Sequence, residues 1–589
     1  MDSMYRFALD GHTDLLRSLG SPASCGRCRE RVTAGGDLLP LVRKGLAVKV
    51  LIVTGGLLSG IEPSLVSSIG KMFQQWRASE HAWLDVKIKL TFAEFLIHRP
   101  RASNEELWAP DLTEVLLATL LKQEGMSYAL ATCSDVFDRP PMVECLLAEA
   151  GCVFVSTTFL RDLSELLPLL RKVKRPHNRI VVGGPLASLL AEGWNGDGDV
   201  DVLAAGYGEF LIPPLVEWMR SGFASLVAPE GGQLVARGNT HILYSGVPNS
   251  NNLDFLPTPD WALSQADRGK RYRMIYYESV RGCPYRCNFC NYPYLFSDNR
   301  FRYKSARRMV EEWEHYQNRL DLEYITCLDS LFTVPAARLV EFCNTLIERR
   351  LNKTKWICYA RADDLADEKT TALMRAAGAH QVQIGLESGD QGQLDNMDKA
   401  CTVESNARAI DLCRKHGITT VASLIVGFPG ETTETLARTL DFLRRHPPDF
   451  FFLAPFSTRA TGVPMLSAAN RARFQLETMN HLHTGAPYWR HRTMSSLEMG
   501  NHLRDLHRSI MSEGISLHGA LYYHRLLDYQ AIERAALLQQ QRDIVRTSRI
   551  VSWMFDQMNA FVDTRLARDA EKCFRPLEAA QQPGLVQLR

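Results

Sequence analysis

Short apolar runs alternate with amphipathic runs between residues 46 and 225. The apolar runs are rich in Val, Ile and Ala, and the amphipathic runs carry apolar residues at helical spacing. This alternation predicts strands joined by helices, and therefore a parallel sheet that is covered on both faces. The predicted strands are 48–54, 86–92, 128–132, 153–157, 179–182 and 200–204, and the predicted helices are 65–77, 112–123, 142–149, 163–173, 186–191 and 210–220.

A second alternating block has predicted strands at 275–279, 324–327, 356–359, 381–384, 422–426 and 451–453. Six parallel strands with helical crossovers predict a partial (β/α)6 barrel. Residues 226–265 are predicted to form a linker, because residues 246–261 are rich in Pro and Asn. The predicted domains are an N-terminal extension (1–45), a first α/β domain (46–225), the linker (226–265), the barrel (266–456) and a mostly helical C-terminal domain (457–589).

The composition is that of an ordinary globular protein: 46% of the 589 residues are hydrophobic, 23% are charged, and the net charge is +2. So small a charge argues against purely electrostatic binding to nucleic acid. No run approaches the roughly 18 apolar residues of a membrane span, and the first residues lack the basic and apolar segments of a signal peptide. We therefore expect a cytoplasmic protein with neither a membrane nor a nucleic acid as partner.

Three of the 14 cysteines are closely spaced: Cys283, Cys287 and Cys290 form a C-x3-C-x2-C pattern directly after a predicted strand. Iron–sulfur cubanes normally take four cysteines, so three thiolates on one loop leave one iron open to a small ligand. A zinc site needs a fourth Cys or His at short range, and none follows. Cys25 and Cys28 form a lone pair without a second pair at metal-binding spacing.

The cysteine pattern, the strand before it and the barrel after it resemble the radical S-adenosylmethionine (SAM) superfamily. Segments similar to that family's motifs follow the second to fifth predicted barrel strands. The resemblance implies that the three cysteines hold a catalytic [4Fe-4S] cluster whose open iron chelates SAM. It also implies SAM contacts from Phe289 beside the adenine, from Asp329 in place of the family's Gly-Gly-Glu, and from Arg361, Glu387, Ser388 and Gly427.

The first α/β domain resembles the Rossmann-like cobalamin-binding domain that precedes the barrel in one radical SAM subgroup. Glycines and short hydroxyls follow its predicted strands, and they let the backbone approach a cofactor with a long nucleotide tail. A dinucleotide cofactor is less favoured, because no G-x-G-x-x-G motif follows the first strand. The residues implied in cobalamin binding are Gly55, Gly56, Ser156, Thr157, Thr158, Gly183, Gly184, Gly208 and Glu209.

The sequence predicts cobalamin without a protein histidine on cobalt. Asp10-Gly11-His12 begins the D-x-H-x-x-G pattern of histidine-ligated cobalamin proteins, but Leu15 occupies the glycine position. We expect His12 to be a surface residue and residues 55–63 to lie under the cobalt. Residues 488–494 carry a W-x-H-x-T-M pattern similar to segments of cobalamin-dependent radical SAM proteins. This segment either lines the substrate mouth or packs against the barrel base.

The pattern as a whole resembles the cobalamin-dependent (class B type) radical SAM methyltransferases. The resemblance implies that one SAM methylates cobalamin, a second SAM yields a 5′-deoxyadenosyl radical, and a carbon of a small-molecule or peptide substrate receives the methyl group. The implied cofactors are a [4Fe-4S] cluster, SAM and cobalamin, with an electron donor such as flavodoxin or ferredoxin. Three alternatives remain open: a cobalamin-dependent rearrangement, cyclisation or oxidation without methyl transfer, a tRNA-modifying methylthiotransferase, and a non-catalytic cobalamin or SAM sensor.

Overall fold

The computed structural model describes residues 49–56, 109–160, 162–196, 198–295, 300–458, 462–480, 487–519, 521–522, 525–547 and 568. These residues form two compact units, the N-terminal unit (residues up to 272, with 294–295 and 300) and the barrel unit (273–293 and 301 onward). Several predictions fall outside the described residues: the extension 1–45 with His12, Cys25 and Cys28, the helix 65–77, the strand 86–92, and residues 57–63 under the cobalt.

The N-terminal unit is built on a sheet of seven strands: β1 (Lys49–Thr54), β2 (Tyr128–Thr132), β3 (Ala150–Ser156), β4 (Arg179–Gly183), β5 (Val202–Ala205), β6 (Gln233–Arg237) and β7 (Thr240–Tyr244). Their order is β2-β1-β3-β4-β5-β7-β6, and only β6 and β7 pair in the antiparallel direction. The predicted parallel α/β fold is confirmed.

Both faces of this sheet are covered. Leu51 and Val53 of β1 pack in one apolar cluster, whereas Val50 and Ile52 pack in another. Successive strand residues point to opposite faces, so a sheet buried on both sides needs apolar residues at every position. This burial explains why the central strands are continuous apolar runs in the sequence.

The segment predicted as a linker differs in the structure. Strands β6 and β7 lie within residues 226–265, and β7 pairs with β5. Ile242 and Leu243 of β7 are buried in the core on opposite faces. Burial of these two side chains brings the segment into the sheet, and the Pro- and Asn-rich stretch is the irregular connection that follows.

The barrel unit contains strands β8 (Met274–Tyr277), β9 (Val280–Arg281), β10 (Arg302–Tyr303), β11 (Tyr324–Cys327), β12 (Lys355–Ala360), β13 (Ala379–Glu387), β14 (Thr419–Val426), β15 (Phe450–Pro455), β16 (Glu477–Asn480), β17 (Pro487–His491), β18 (Met494–Ser495) and β19 (Leu517–His518). Strands β8 and β11 to β15 form a parallel sheet in chain order, to which β19 adds a short edge. This confirms the predicted six-stranded partial barrel. Strands β16 to β18 form a small antiparallel sheet, so the C-terminal region is not helical throughout.

The helices are α1 (Leu112–Gln123), α2 (Cys133–Asp138), α3 (Pro140–Glu149), α4 (Leu163–Val173), α5 (Pro185–Leu190), α6 (Gly208–Arg220), α7 (Trp261–Arg268), α8 (Ala306–Arg319), α9 (Ala336–Glu348), α10 (Ala362–Leu365), α11 (Glu368–Ala376), α12 (Gln391–Asn396), α13 (Val403–His416), α14 (Thr433–Arg445), α15 (Ala468–Phe474), α16 (Ser496–Glu513) and α17 (Arg534–Thr547). Within the described part of the chain, no helix combines the length and the apolar character that a membrane span requires.

Candidate functional site

The three-cysteine loop follows β9, beyond the carboxyl end of the first barrel strand. Cys283, Cys287 and Cys290 are free thiols. Burial is the largest cause of their raised pKa values and brings the pKa of Cys290 to about 11. The thiols are also close to one another, because Cys287 raises the pKa of Cys283 and both raise that of Cys290.

Three thiols on one short loop suit an iron–sulfur cluster. A group of three His, Cys, Asp or Glu side chains that could hold one metal ion is not found among the described residues. A cubane instead spreads its thiolates over separate irons, which three neighbouring thiols on one loop can supply.

Arg361, at the end of β12, is buried against this loop. Its guanidinium carbon lies 3.7 Å from the centroid of the Tyr285 ring. It donates to Asp363 at 2.9 Å and to the Ala400 carbonyl at 2.8 Å. The structure therefore places Arg361, a predicted SAM contact, beside the cysteine loop. Part of the hydrogen-bonding capacity of its guanidinium is used by Asp363 and the Ala400 carbonyl.

A second buried cation, Lys399, is a residue that the sequence did not reveal. Its ammonium nitrogen lies 3.1 Å from a Glu387 oxygen and 5.7 Å from the centroid of the Phe289 ring. Lys399 and Arg361 both lower the pKa of Cys287, which counteracts burial and favours the thiolate that a cluster needs. The predicted residues Phe289 and Glu387 thus lie together, with Lys399 between them.

The backbone around this pair is strained. Glu387, Asp398 and Ala400 have φ values of 62°, 51° and 52°. Non-glycine residues in this region cost about 1 kcal/mol or more and persist where the surroundings hold them. Lys399 thus stands in a turn with no hydrophobic periodicity, which is why the sequence pattern did not single it out.

The Asp329 carboxylate, which the sequence predicts to bind SAM, makes several hydrogen bonds within the protein. It accepts hydrogen bonds from the Ser279 and Val280 amides at 2.6 and 2.8 Å and from the Ser279 hydroxyl at 2.5 Å. Burial raises its pKa to about 6. Arg338 adds a positive charge nearby and donates to the Ser279 hydroxyl at 3.3 Å. The protein therefore uses Asp329 to hold the backbone that leads into the cysteine loop.

Ser388 and Gly427 are also occupied by protein groups. The Ser388 hydroxyl lies 3.2 Å from that of Thr439 and accepts from the Asp390 amide at 3.1 Å, at the start of α12. Gly427 has φ 84°, and a Cβ there would lie 2.2 Å from Met499. Its close approach is therefore to α16 of the C-terminal region.

The W-x-H-x-T-M segment packs at this same end of the barrel. Trp489 stacks on His491 with the ring centroids 5.4 Å apart and touches Phe456, just after β15. The His491 Nε2 atom lies 3.3 Å from the Gly427 carbonyl. Burial lowers the pKa of His491 to about 4, so this imidazole is neutral at pH 7. The segment is thus buried at the carboxyl ends of the strands rather than at the barrel base.

In the N-terminal unit, the predicted cobalamin residues gather at the edge of the sheet that is formed by the carboxyl ends of its parallel strands. Strands β1, β3, β4 and β5 are neighbours, so the residues that follow them lie side by side. Gly55 has φ 83°, and Gly208 at the start of α6 has open space where a Cβ would stand. Glu209 follows it in the first turn of α6. The edge thus offers an accessible backbone to a bulky cofactor.

The hydroxyls at this edge fall into two groups. Ser156 and Thr158 lie 3.0 Å apart, and Thr158 lies 3.1 Å from Thr113, so these three form a chain. Thr157 is fully buried and donates to the Gly183 carbonyl at 2.8 Å. Thr157 therefore holds the turn after β4 in place.

The turns after β1 and β4 approach their neighbours closely. A Cβ on Gly56 would lie 3.3 Å from Phe159, and a Cβ on Gly184 would lie 3.0 Å from the Thr157 hydroxyl. Gly184 also has φ 102°, a conformation that favours glycine. These glycines let the turns pack tightly against their neighbours.

Two buried carboxyls beside this edge were not predicted. Glu114 accepts from Thr54 at 3.1 Å and pairs with Arg268 through two hydrogen bonds of 3.0 and 2.6 Å. Asp111 caps α1, and burial raises its pKa to about 6, with Glu114 contributing. The capping pattern of Asp111 and Glu114 around the start of a helix is the sequence signal that could have found them.

Known proteins match the barrel unit and, over a larger part of the chain, the fold. The radical SAM superfamily profile matches residues 277–443. An anaerobic magnesium-protoporphyrin IX monomethyl ester cyclase of Rubrivivax gelatinosus is 31% identical over 256 residues, which make up 42% of this chain and 46% of that protein. The chain thus spans about half the length of this curated relative.

Two solved structures share the fold over a larger part of the chain. The radical SAM methyltransferase TsrM of Kitasatospora setae, solved with cobalamin and a [4Fe-4S] cluster, has a TM-score of 0.56 at 16% identity and covers 86% of this chain and 100% of that one. The cobalamin-dependent radical enzyme OxsB, solved with aqua-cobalamin and SAM, has a TM-score of 0.55 at 16% identity and covers 91% and 82%. Residues 277–443 therefore match the radical SAM superfamily, and the chain shares its fold with TsrM and OxsB.

Proposed function

We propose that this protein is a cobalamin-dependent radical SAM methyltransferase that transfers a methyl group from SAM to a carbon of a small-molecule or peptide substrate. The observation that carries the proposal is the loop of three free, mutually close cysteines at the carboxyl end of the barrel. The glycine-lined edge of the N-terminal unit supports a second cofactor, and the fold shared with TsrM extends over both units.

In this proposal Cys283, Cys287 and Cys290 hold a [4Fe-4S] cluster. Such a cluster supplies the electron that cleaves SAM, and cobalamin carries the methyl group. Arg361 and Lys399 present positive charge to the SAM carboxylate and to the cysteine loop. Their desolvated positions make that charge more effective than it is in water.

The remaining predicted SAM residues fall into two groups, those that contact SAM directly and those that act through other protein groups. Phe289 offers an aromatic face for adenine, and Glu387 offers a carboxylate oxygen for a hydroxyl or amino group. Asp329, Ser388 and Gly427 act indirectly, because their polar or close contacts are made to protein groups. They position the strand ends on which the SAM contacts stand.

Cobalamin lies, in this proposal, along the edge formed by Gly55, Gly56, Gly183, Gly184 and Gly208, with Ser156, Thr158 and Glu209 as hydrogen-bonding groups. His241 pairs with Val202 at the start of β5, and His177 precedes the start of β4. These are the histidines of this unit within the described residues, and both lie near the amino ends of their strands, away from the glycine-lined edge. We propose, as the sequence predicts, that cobalamin binds without a protein histidine on cobalt. A reducing cytoplasm suits the cysteine thiolates. A flavodoxin or ferredoxin would donate the electron that SAM cleavage requires.

Anaerobic reconstitution with iron, sulfide and hydroxocobalamin tests the proposal. We expect about four irons and about one cobalamin per chain after desalting, and formation of 5′-deoxyadenosine from SAM. The triple variant Cys283→Ala/Cys287→Ala/Cys290→Ala should lose the iron and the SAM cleavage. Cys343→Ala, a buried cysteine in α9, is the matched control and should keep both. Iron without cobalamin would overturn the methyl transfer proposed here.

A second candidate is a cobalamin-dependent reaction without methyl transfer. It is favoured by the similarity to the Rubrivivax gelatinosus cyclase. SAM with a labelled methyl group separates the two, since only a methyltransferase places the label in cobalamin and then in product. The methylthiotransferase alternative needs a second cluster, but Cys133 and Cys152 are fully buried in the apolar core. An iron content well above about four per chain would revive it.

A further inference from the structure

Asn288, between Cys287 and Phe289, is anchored through both its main chain and its side chain. Its amide N–H donates to the Met397 carbonyl at 2.8 Å, and its carbonyl accepts from the Met465 amide at 2.9 Å. The main chain on either side of Asn288 is therefore fixed from two directions. Both partners are more than 100 residues away in sequence.

The Asn288 side chain repeats this arrangement. Its Nδ2 atom donates to the Asn396 carbonyl at 2.9 Å, and its Oδ1 atom accepts from the Asn470 Nδ2 atom at 3.3 Å. The side chain is largely buried, with the residue 9% exposed. Asn470 also donates to the Pro464 carbonyl at 2.9 Å, so residues 464–470 reach the loop as one folded segment.

We propose that Asn288 is a positioning residue that clamps the second half of the cysteine loop between the turn at 396–397 and the segment 464–470. The clamp fixes the spacing of Cys287 and Cys290 before a cluster binds. It also links the cysteine loop to the C-terminal region. This assignment deepens the proposed function and rests on it, because the purpose of the fixed spacing is to hold the cluster.

The chemistry of the partners selects asparagine at this position. A main-chain carbonyl only accepts, and the Nδ2 atom of an amide only donates. Residue 288 must therefore present a donor to Asn396 and an acceptor to Asn470 on one short planar group. Aspartate would present two acceptors, and leucine would present neither. The two main-chain bonds remain in both variants, so substitution isolates the contribution of the side chain.

Hydrogen exchange of the metal-free protein tests the clamp without any cofactor. We expect Asn288→Leu to increase deuterium uptake in residues 396–400 and 464–470. The matched control is Asn352→Leu, which removes a side-chain bond of 3.0 Å to the Ala376 carbonyl at the opposite end of the barrel strands. That control should leave uptake in these two segments unchanged. Unchanged uptake in Asn288→Leu would overturn the clamp.

The rate of iron release tests whether the clamp at Asn288 helps to hold the cluster. After reconstitution, we expect a chelator to remove iron roughly two- to tenfold faster from Asn288→Asp, the range given by loss of one hydrogen bond. Release should be faster still from Asn288→Leu, which loses both side-chain bonds. Asn470→Ala, which removes one of the two side-chain bonds, should fall between these variants and the wild type, and it serves if the variants at 288 do not fold. Equal release from wild type and Asn288→Leu, or equal acceleration in Asn352→Leu, would overturn the assignment. A wild type that binds no iron would instead overturn the proposed function, while the exchange result would still decide the clamp.

Discussion

The ammonium group of Lys399 lies 3.1 Å from a carboxylate oxygen of Glu387, and both side chains are less than one-tenth exposed. The pair joins the end of β13 to the turn after α12 and stands beside the Phe289 ring. Two charges taken out of water stabilise a protein only while both are present, since a single one is left uncompensated.

We therefore expect Lys399→Met to lower the free energy of unfolding by about 3 kcal/mol. The double variant Lys399→Met/Glu387→Gln should recover part of this loss, because it removes the isolated carboxylate. Urea unfolding of the metal-free protein measures both. Lys415→Met, which breaks an exposed pair with Glu368, should cost much less than Lys399→Met. Additive effects of the Lys399 and Glu387 substitutions would show that the pair is not coupled.

Asp329→Asn should lower the stability of the protein more than it lowers the affinity for SAM. An amide cannot replace a carboxylate that accepts three hydrogen bonds through both oxygens, so we expect a loss of about 2 kcal/mol in unfolding free energy. Iron content should fall, while SAM affinity of the iron-loaded fraction should stay near that of the wild type. Ser279→Ala, which removes one of the three donors, should cost less. A loss of SAM affinity at full iron content would support the direct contact that the sequence predicted.

The strands and the cysteine triad could be predicted because each has a local signal. Burial of both sheet faces makes continuous apolar runs, and three closely spaced cysteines require a shared ligand or a shared loop. The strand β7 has a weaker signal, since its burial of Ile242 and Leu243 depends on pairing with β5.

The partners of the polar residues could not be predicted in the same way. The position of Asp329 after a strand indicates at which edge of the sheet it lies. That position does not indicate that Ser279 and Val280 donate hydrogen bonds to its carboxylate oxygens. Lys399 and Asn288 meet their partners through turns, where no periodicity indicates a direction. Their roles depend on contacts between segments distant in sequence, which one chain without its fold does not display.

Gly427→Ala should be more costly than the same change at another glycine of similar backbone conformation. Gly417 has φ 69° with no atom near a new Cβ, whereas Gly427 has φ 84° with Met499 at 2.2 Å. We expect Gly417→Ala to cost about 1 kcal/mol, the penalty for the left-handed conformation. Gly427→Ala should cost about 1 to 3 kcal/mol more, because side chains must shift. Met499→Ala in the Gly427→Ala background should reduce the excess, and equal costs at the two glycines would contradict the close packing of α16.

The buried imidazole of His507 should make stability depend on pH. His507 is 1% exposed, its Nδ1 atom lies 3.0 Å from the Leu503 carbonyl, and burial lowers its pKa to about 4. The unfolded chain has the ordinary value near 6.5, so it binds a proton first as the pH falls. Its contribution is therefore complete above about pH 6.5 and is lost between about pH 6.5 and pH 4, by about 3 kcal/mol. Urea unfolding of the metal-free protein across this range should show a shallower decline for His507→Leu, whatever its stability at pH 7. Parallel declines in the two proteins would show that His507 takes up its proton equally well in the folded chain.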